Sequence, residues 1–252
     1  PSRPSSDSVG SVTLLHFRKK NFGQHKKHGS KDRKFIAHLC YCYYRLGHAP
    51  KEISVEERVK TALFLCNDSV GDWRILFNPS WLIQWNDDLQ KKIDFIQSVY
   101  PSFSVTAIFP WIDELSEGID KENFIGSHLA QPDLFLRTRP GKEEIVLEKL
   151  KEQHISFKQL SPTCLALPNA SKIDTVLEID TEVVIQDYNS QRIAGFLQLL
   201  TPDSQLPTPI WDCCAASGGK SILAYDVWPG LALTVSDIRP SIIQNLKNRF
   251  ER

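Results

Sequence analysis

The sequence predicts a multidomain chain: an all-helical unit over residues 1–130, a small α/β module over 131–185, and the opening of a parallel α/β unit over 186–252. Three observations predict it. Apolar residues recur at helical spacing as far as about residue 130, and from Pro132 they alternate with polar ones instead. At residues 209–221 an apolar run enters a bend of small residues with a glycine pair, then a helix start.

The helical unit reads as follows. Phe35, Leu39, Cys42 and Leu46 share one helix face, with Ser30 as cap and Gly47 as stop. Ser54-Val-Glu-Glu57 is a capping box, in which hydroxyl and carboxylate each satisfy the other residue's amide, ahead of Val55, Val59, Ala62, Leu63 and Cys66. Asn78 before Pro79 caps a segment with Trp81, Leu82 and Trp85, and Leu89, Ile93 and Ile96 continue its helical register. The tryptophans and the set Tyr41, Tyr43 and Tyr44 read as packing groups rather than base-stacking platforms.

In the small module, residues 134–139 alternate as a strand, Pro140-Gly141 is a break, 143–152 is a short amphipathic helix, and 155–160 and 163–167 are further strands. Phe135, Arg137 and Arg139 fall on one face of the first strand. That pattern suits either an aromatic and cationic RNA-contacting surface or a half-exposed strand with ordinary arginines. After Gln186 comes a helix with Ile193, Phe196, Leu197 and Leu200, followed by the proline-rich loop 201–208. A strand at 209–212, the glycine loop, a helix from Lys220, a turn at Trp228-Pro-Gly230 and a strand at 231–235 follow. Pro240 then opens a helix striped by Ile242, Ile243, Leu246 and Phe250.

Gly218 and Gly219 remove side chains where backbone amides must approach a ligand, and Asp237 stands at the tip of the next strand, placed to accept the hydroxyls of a ribose. Spacing separates the cofactors. A phosphate-binding P-loop needs glycine where Cys214 stands, and a dinucleotide fingerprint needs three spaced glycines, so both are disfavoured. S-adenosylmethionine remains, against a plain strand–turn–helix with no ligand.

Asp212-Cys-Cys-Ala-Ala-Ser-Gly-Gly-Lys220 resembles the first cofactor motif of the RNA cytosine-5 methyltransferases of the Fmu/RsmB/NSUN family, Asp-x-Cys-Ala-Ala-Pro-Gly-Gly-Lys, with Ser217 in place of the proline. Val184-Ile-Gln-Asp-Tyr-Asn-Ser-Gln191 resembles the family's Val-Gln-Asp-x-x-Ser-Gln opening of the catalytic domain, and Ser30-Lys-Asp-Arg-Lys-Phe-Ile36 its amino-terminal helical module. The resemblance implies a NusB-like helical domain, a small RNA-contacting module and a Rossmann-like methyltransferase domain. It implies S-adenosylmethionine held by Cys214, Ala215, Ala216, Ser217, Gly218, Gly219 and Lys220, with Asp237 on the ribose. The implied substrate is RNA, ribosomal RNA first and transfer RNA second.

In that family a cysteine thiolate adds to carbon-6 of cytosine before carbon-5 is methylated. The cysteines concerned sit in Pro-Cys and Thr-Cys motifs after the glycine loop, and neither follows the loop here, so no catalytic residue is assigned. Cys214 matches the family's loop cysteine and Cys213 has no matched role. Both are expected to be buried small residues at a strand end. The alternative function is an RNA-binding or assembly factor with a degenerate methyltransferase fold.

With 41% apolar and 24% charged residues, the chain of 252 can bury a sizeable core. No apolar run approaches the roughly 20 residues of a membrane span, and the polar start and six cysteines without a Cys-x-x-Cys pair suggest a cytoplasmic protein with reduced thiols and no metal. Net charge is zero, which argues against a general polyanion binder. Yet eight Lys or Arg stand against one acid between Arg18 and Lys34, a segment expected to touch phosphates.

Overall fold

The computed structural model describes residues 20–24, 29–50, 52–199 and 209–251. Expectations resting on Arg18, Lys19, His25, Lys26, Lys27, His28, Leu200 and the loop 201–208 lie outside them. The chain divides into two compact units, Pro1–Gln131 and Pro132–Arg252.

The first unit is helix-rich. Its helices are α1 (Ser30–Arg45), α2 (Val55–Cys66), α3 (Pro79–Ile83), α4 (Leu89–Val99) and α5 (Lys121–Leu129), with short 3-10 turns between them. Ser54 and Glu57 form the expected capping box, and the Asn78 side chain accepts the amide of Trp81 as expected. Two details differ. Gly29, not Ser30, occupies the cap of α1, its amide donating to the Asp32 carboxylate at 3.1 Å. The register expected from Trp81 through Ile96 is broken at residues 84–88, because the Asn86 side chain takes the amide of Asp88 and Asp88 takes those of Gln90 and Lys91. Such side chains offer the backbone partners that compete with a continuous helix, and Asp88 then caps a new one.

The core of this unit is aromatic at its centre: Phe64 lies fully buried, edge-on to Trp81 and Trp85 at 5.2 Å each. The tryptophans therefore pack. Arg58, also buried, donates to the carbonyls of Gly47, Ala49 and Pro50 and lies over the Tyr43 ring, so its charge is solvated by the chain itself.

The second unit is mixed α/β. A four-stranded antiparallel sheet runs in the order β2 (Lys158–Ser161), β3 (Cys164–Leu167), β1 (Leu134–Thr138), β4 (Val183–Ile185). Leu136, Leu165, Leu167 and Val183 pack with Val146 and Leu150 of α6 (Glu143–Glu152), forming one apolar layer. Two short helices, α7 (Tyr188–Gln191) and α8 (Ile193–Leu197), replace the one expected after Gln186. Then β5 (Pro209–Asp212) and β6 (Ala232–Val235) pair in parallel, with α9 (Gly219–Val227) as their crossover and α10 (Pro240–Phe250) following. No helix among the described residues is long and apolar enough to cross a membrane.

Candidate cofactor site

The glycine loop leaves β5 at Asp212 and enters α9, and its residues divide by what holds them. Ala215 is buried, its amide donating to the Ser236 carbonyl at 3.0 Å. Ala216 sits at φ 47°, a left-handed conformation uncommon for a residue with a side chain, and its amide donates to Asp237 Oδ2 at 3.1 Å. The Ser217 carbonyl accepts from Arg249 of α10 at 2.6 Å. Ser221 donates to Asp212 Oδ2 at 2.7 Å, which ties the helix start to the strand end. Lys220 is exposed.

The two glycines differ. Gly218 is left-handed at φ 88°, and a Cβ there would come within 2.8 Å of Leu246 Cγ, so the chain's own packing requires glycine. A Cβ on Gly219 would meet nothing nearer than the Gln186 side chain at 3.7 Å, an ordinary contact. Nothing in the fold requires glycine at 219. The amides of Gly219, Lys220 and Ser221, the first turn of α9, find no acceptor among the described residues. Gln186 is buried beside them. Its Oε1 accepts from Arg137 Nε at 2.8 Å, while its Nε2 has no acceptor among the described residues.

Asp237 stands where the sequence places it, at the tip of β6, but its oxygens are engaged. Oδ1 accepts from the amide and Nε of Arg239, both at 3.0 Å, and Oδ2 accepts from Arg239 Nη2 and from the Ala216 amide. The Arg239 guanidinium, first of these partners, holds the carboxyl down at about 2. It is ionised at any pH a cell offers. A ribose could take the diol position only after Arg239 moves aside.

Cys213 and Cys214 are exposed, contrary to the expectation of buried strand-end residues. The reason is the sheet: β5 has β6 as its one partner among the described residues, so no neighbouring strand covers its end. The hydrogen bond with Cys213 and repulsion from it push the Cys214 thiol above its ordinary range. Alkylation of the folded protein should therefore label Cys213 and Cys214 and spare the buried Cys42, Cys66 and Cys164 until denaturant is added. Labelling at Cys214 should climb with pH beyond the range of a free thiol. Peptide mass mapping checks both, and early labelling of Cys164 would contradict this placement. Thr163-Cys164, the chain's Thr-Cys pair, lies upstream on β3, away from the loop sequence.

The face carrying Phe135, Arg137 and Arg139 is not an open surface. Arg137 pairs with Asp226 of α9 and with Gln186, Arg139 Nε reaches Asp226 Oδ1 at 2.9 Å, and Phe135 stacks on Tyr188 with ring centres 6.2 Å apart. Burial pulls the Arg137 guanidinium below its ordinary value, offset by Asp226. The helix that follows the glycine loop thus covers the strand that the alternation pattern left open.

Sequence reasoning missed Gln186, Asp226, Arg239 and Arg249 as site-shaping residues. Gln186 lay within a matched motif, and Arg239 is two residues from Asp237, so both carried a signal. Asp226 and Arg249 carried none, since their partners lie far away in sequence.

No family model matches the chain, and no curated protein does either. Among solved structures, the crystal structure of PH0851 is similar, with a TM-score of 0.56 and 15% identity over 95% of this chain. The chain spans 63% of the length of that structure. Likeness at such identity speaks for the fold alone, a helix-rich region followed by a mixed α/β region.

Proposed function

We propose that this chain acts in S-adenosylmethionine-dependent methylation of cytosine carbon-5 in RNA, ribosomal RNA first and transfer RNA second. The observation that carries the reading is the room at Gly219, a glycine for which the fold has no use, beside three helix-start amides and a buried amide donor. Those donors suit the carboxylate of the cofactor's amino-acid end. When bound, the cofactor supplies an electrophilic methyl group. The chain's own part is to hold it: Cys214 to Lys220 form the cradle, Gln186 adds a donor, and Asp237 takes the ribose once Arg239 swings toward solvent. The Arg239 side chain is 58% exposed, so that movement costs little packing.

The remaining regions fit the same reading. Residues 1–130 are taken as a NusB-like RNA-binding unit, in which Lys20, Lys31, Arg33 and Lys34 belong to the basic segment, and residues 186–252 as part of a Rossmann-like domain. The exposed Cys213 and Cys214 lie at the strand end before the glycines, and neither is taken as the nucleophile. No catalytic residue is proposed.

Calorimetry with S-adenosylmethionine tests the site. Wild-type protein should bind it, Asp237→Asn should weaken binding about tenfold, and Arg239→Ala should tighten it by freeing the carboxylate. Absence of binding to the wild type would remove the reading. The engagement of Asp237 by Arg239 favours one alternative, an RNA-binding or assembly factor whose methyltransferase fold no longer takes a cofactor. In that case Arg239→Ala would bring no binding.

A further inference from the structure

We propose that the second unit holds a nucleotide pocket distinct from the glycine loop, with the base against Tyr225 and Phe250 and the phosphate against Arg139 and Lys142. The cavity measures about 380 Å³ and is lined by these four side chains together with Arg249, Asp180 and Asp226, and by none of residues 214–220. Its size lies at the small end of ligand cavities, which suits one nucleotide rather than a larger cofactor.

The charge count points to an anion. Asp226 is taken by Arg139 and, from outside the cavity, by Arg137, and Asp180 is taken by Arg249, so the two lining carboxylates are matched by two lining arginines. Lys142 adds a further cation. It is exposed and forms no close ion pair among the described residues; Glu182, on which it acts only at longer range, is held by Lys149 at 2.6 Å. A cationic surplus therefore remains at the rim after every internal pair is formed, which is what a phosphate needs.

Apart from Thr181, the rest of the lining is apolar and aromatic. Tyr225 and Phe250 meet edge to face with centres 6.1 Å apart, and both stay exposed, at 43% and 39%. Two half-open rings beside the Lys142 ammonium offer a base a stacking face and its phosphate a partner. The recognised chemistry is a nucleoside monophosphate, either free or within a single RNA strand. The pocket does not need methyl transfer; it rests on the reading above only for RNA as the source of the nucleotide.

Titration of the full chain with UMP and with a short oligouridylate tests this. Binding of either is expected, weakened about tenfold by Lys142→Ala and by Tyr225→Ala, both at positions whose exposure leaves the fold intact. Binding of the oligouridylate alone makes an RNA strand the source, and equal binding of UMP makes it a free nucleotide; each supports the pocket. An excess of S-adenosylmethionine should leave UMP bound. No binding of either probe, binding untouched by both substitutions, or displacement by S-adenosylmethionine would overturn it. Failure of S-adenosylmethionine to bind, with these results intact, would remove the methyltransferase reading and leave the pocket.

Discussion

Asp226→Asn is expected to cost the second unit about 3–5 kcal/mol of stability, because a buried guanidinium then keeps its charge without its partner. The Arg137 side chain is 4% exposed and Asp226 6%, so water cannot replace what is lost. Arg139 loses the same partner from a more open position. Urea denaturation followed by circular dichroism gives the shift in midpoint. The exposed pair Lys121 and Asp113 sets the contrast, since removing it should change stability by less than about 1 kcal/mol. An unchanged midpoint in Asp226→Asn would mean that Gln186 alone suffices for Arg137.

The adjacent glycines should separate fold from ligand. Gly218→Ala forces a left-handed Cβ into Leu246 and is expected to cost about 2–4 kcal/mol, the sum of backbone strain and overpacking. Gly219→Ala should change stability by no more than about 1 kcal/mol, since alanine is the better helix former and finds only ordinary contacts. Its effect should fall instead on S-adenosylmethionine, with affinity reduced at least about tenfold because the methyl fills the room left for the ligand. Thermal melts and calorimetry on the two variants give the comparison. Normal affinity in Gly219→Ala would take the cofactor's carboxylate end away from this turn.

Local chemistry made most of the elements legible. Ser54 with Glu57, and Asn78 with Pro79, announce helix starts because capping needs only the three residues that follow. The α6 helix over Glu143–Glu152 and the β5, α9, β6 series were readable for the same reason, since each is bounded by glycine, proline or a change of period. The break at residues 84–88 was legible too in Asn86 and Asp88, but helical spacing on either side masked it. The β4 strand was not, because Val183–Ile185 is too short for its alternation to rise above its surroundings, and its pairing with β1 spans a long stretch of sequence.

In the candidate site, the loop and Asp237 were visible as a motif, whereas their states were not. Nothing local says that Cys213 and Cys214 face outward or that Arg137 turns into the interior. The last is decided by Asp226, whose approach to β1 depends on how α9 packs. Burial of a charge is a tertiary fact, and a strand pattern records only which side it faces.

Arg249 gives the glycine loop and the aromatic pocket a common part. Its Nη1 holds the Ser217 carbonyl, its Nε and Nη2 grip Asp180, and its stem lines the cavity beside Phe250. A ligand that reorders the loop would tug on one wall of the pocket through that guanidinium, while a phosphate held by Arg139 and Lys142 would leave the Arg249 pair in place. Were both places to bind as proposed, occupancy at one would shift affinity at the other by a modest factor, equal in both directions and short of displacement. One side chain of α10 would set how strongly the two sites speak to each other, and in which sense.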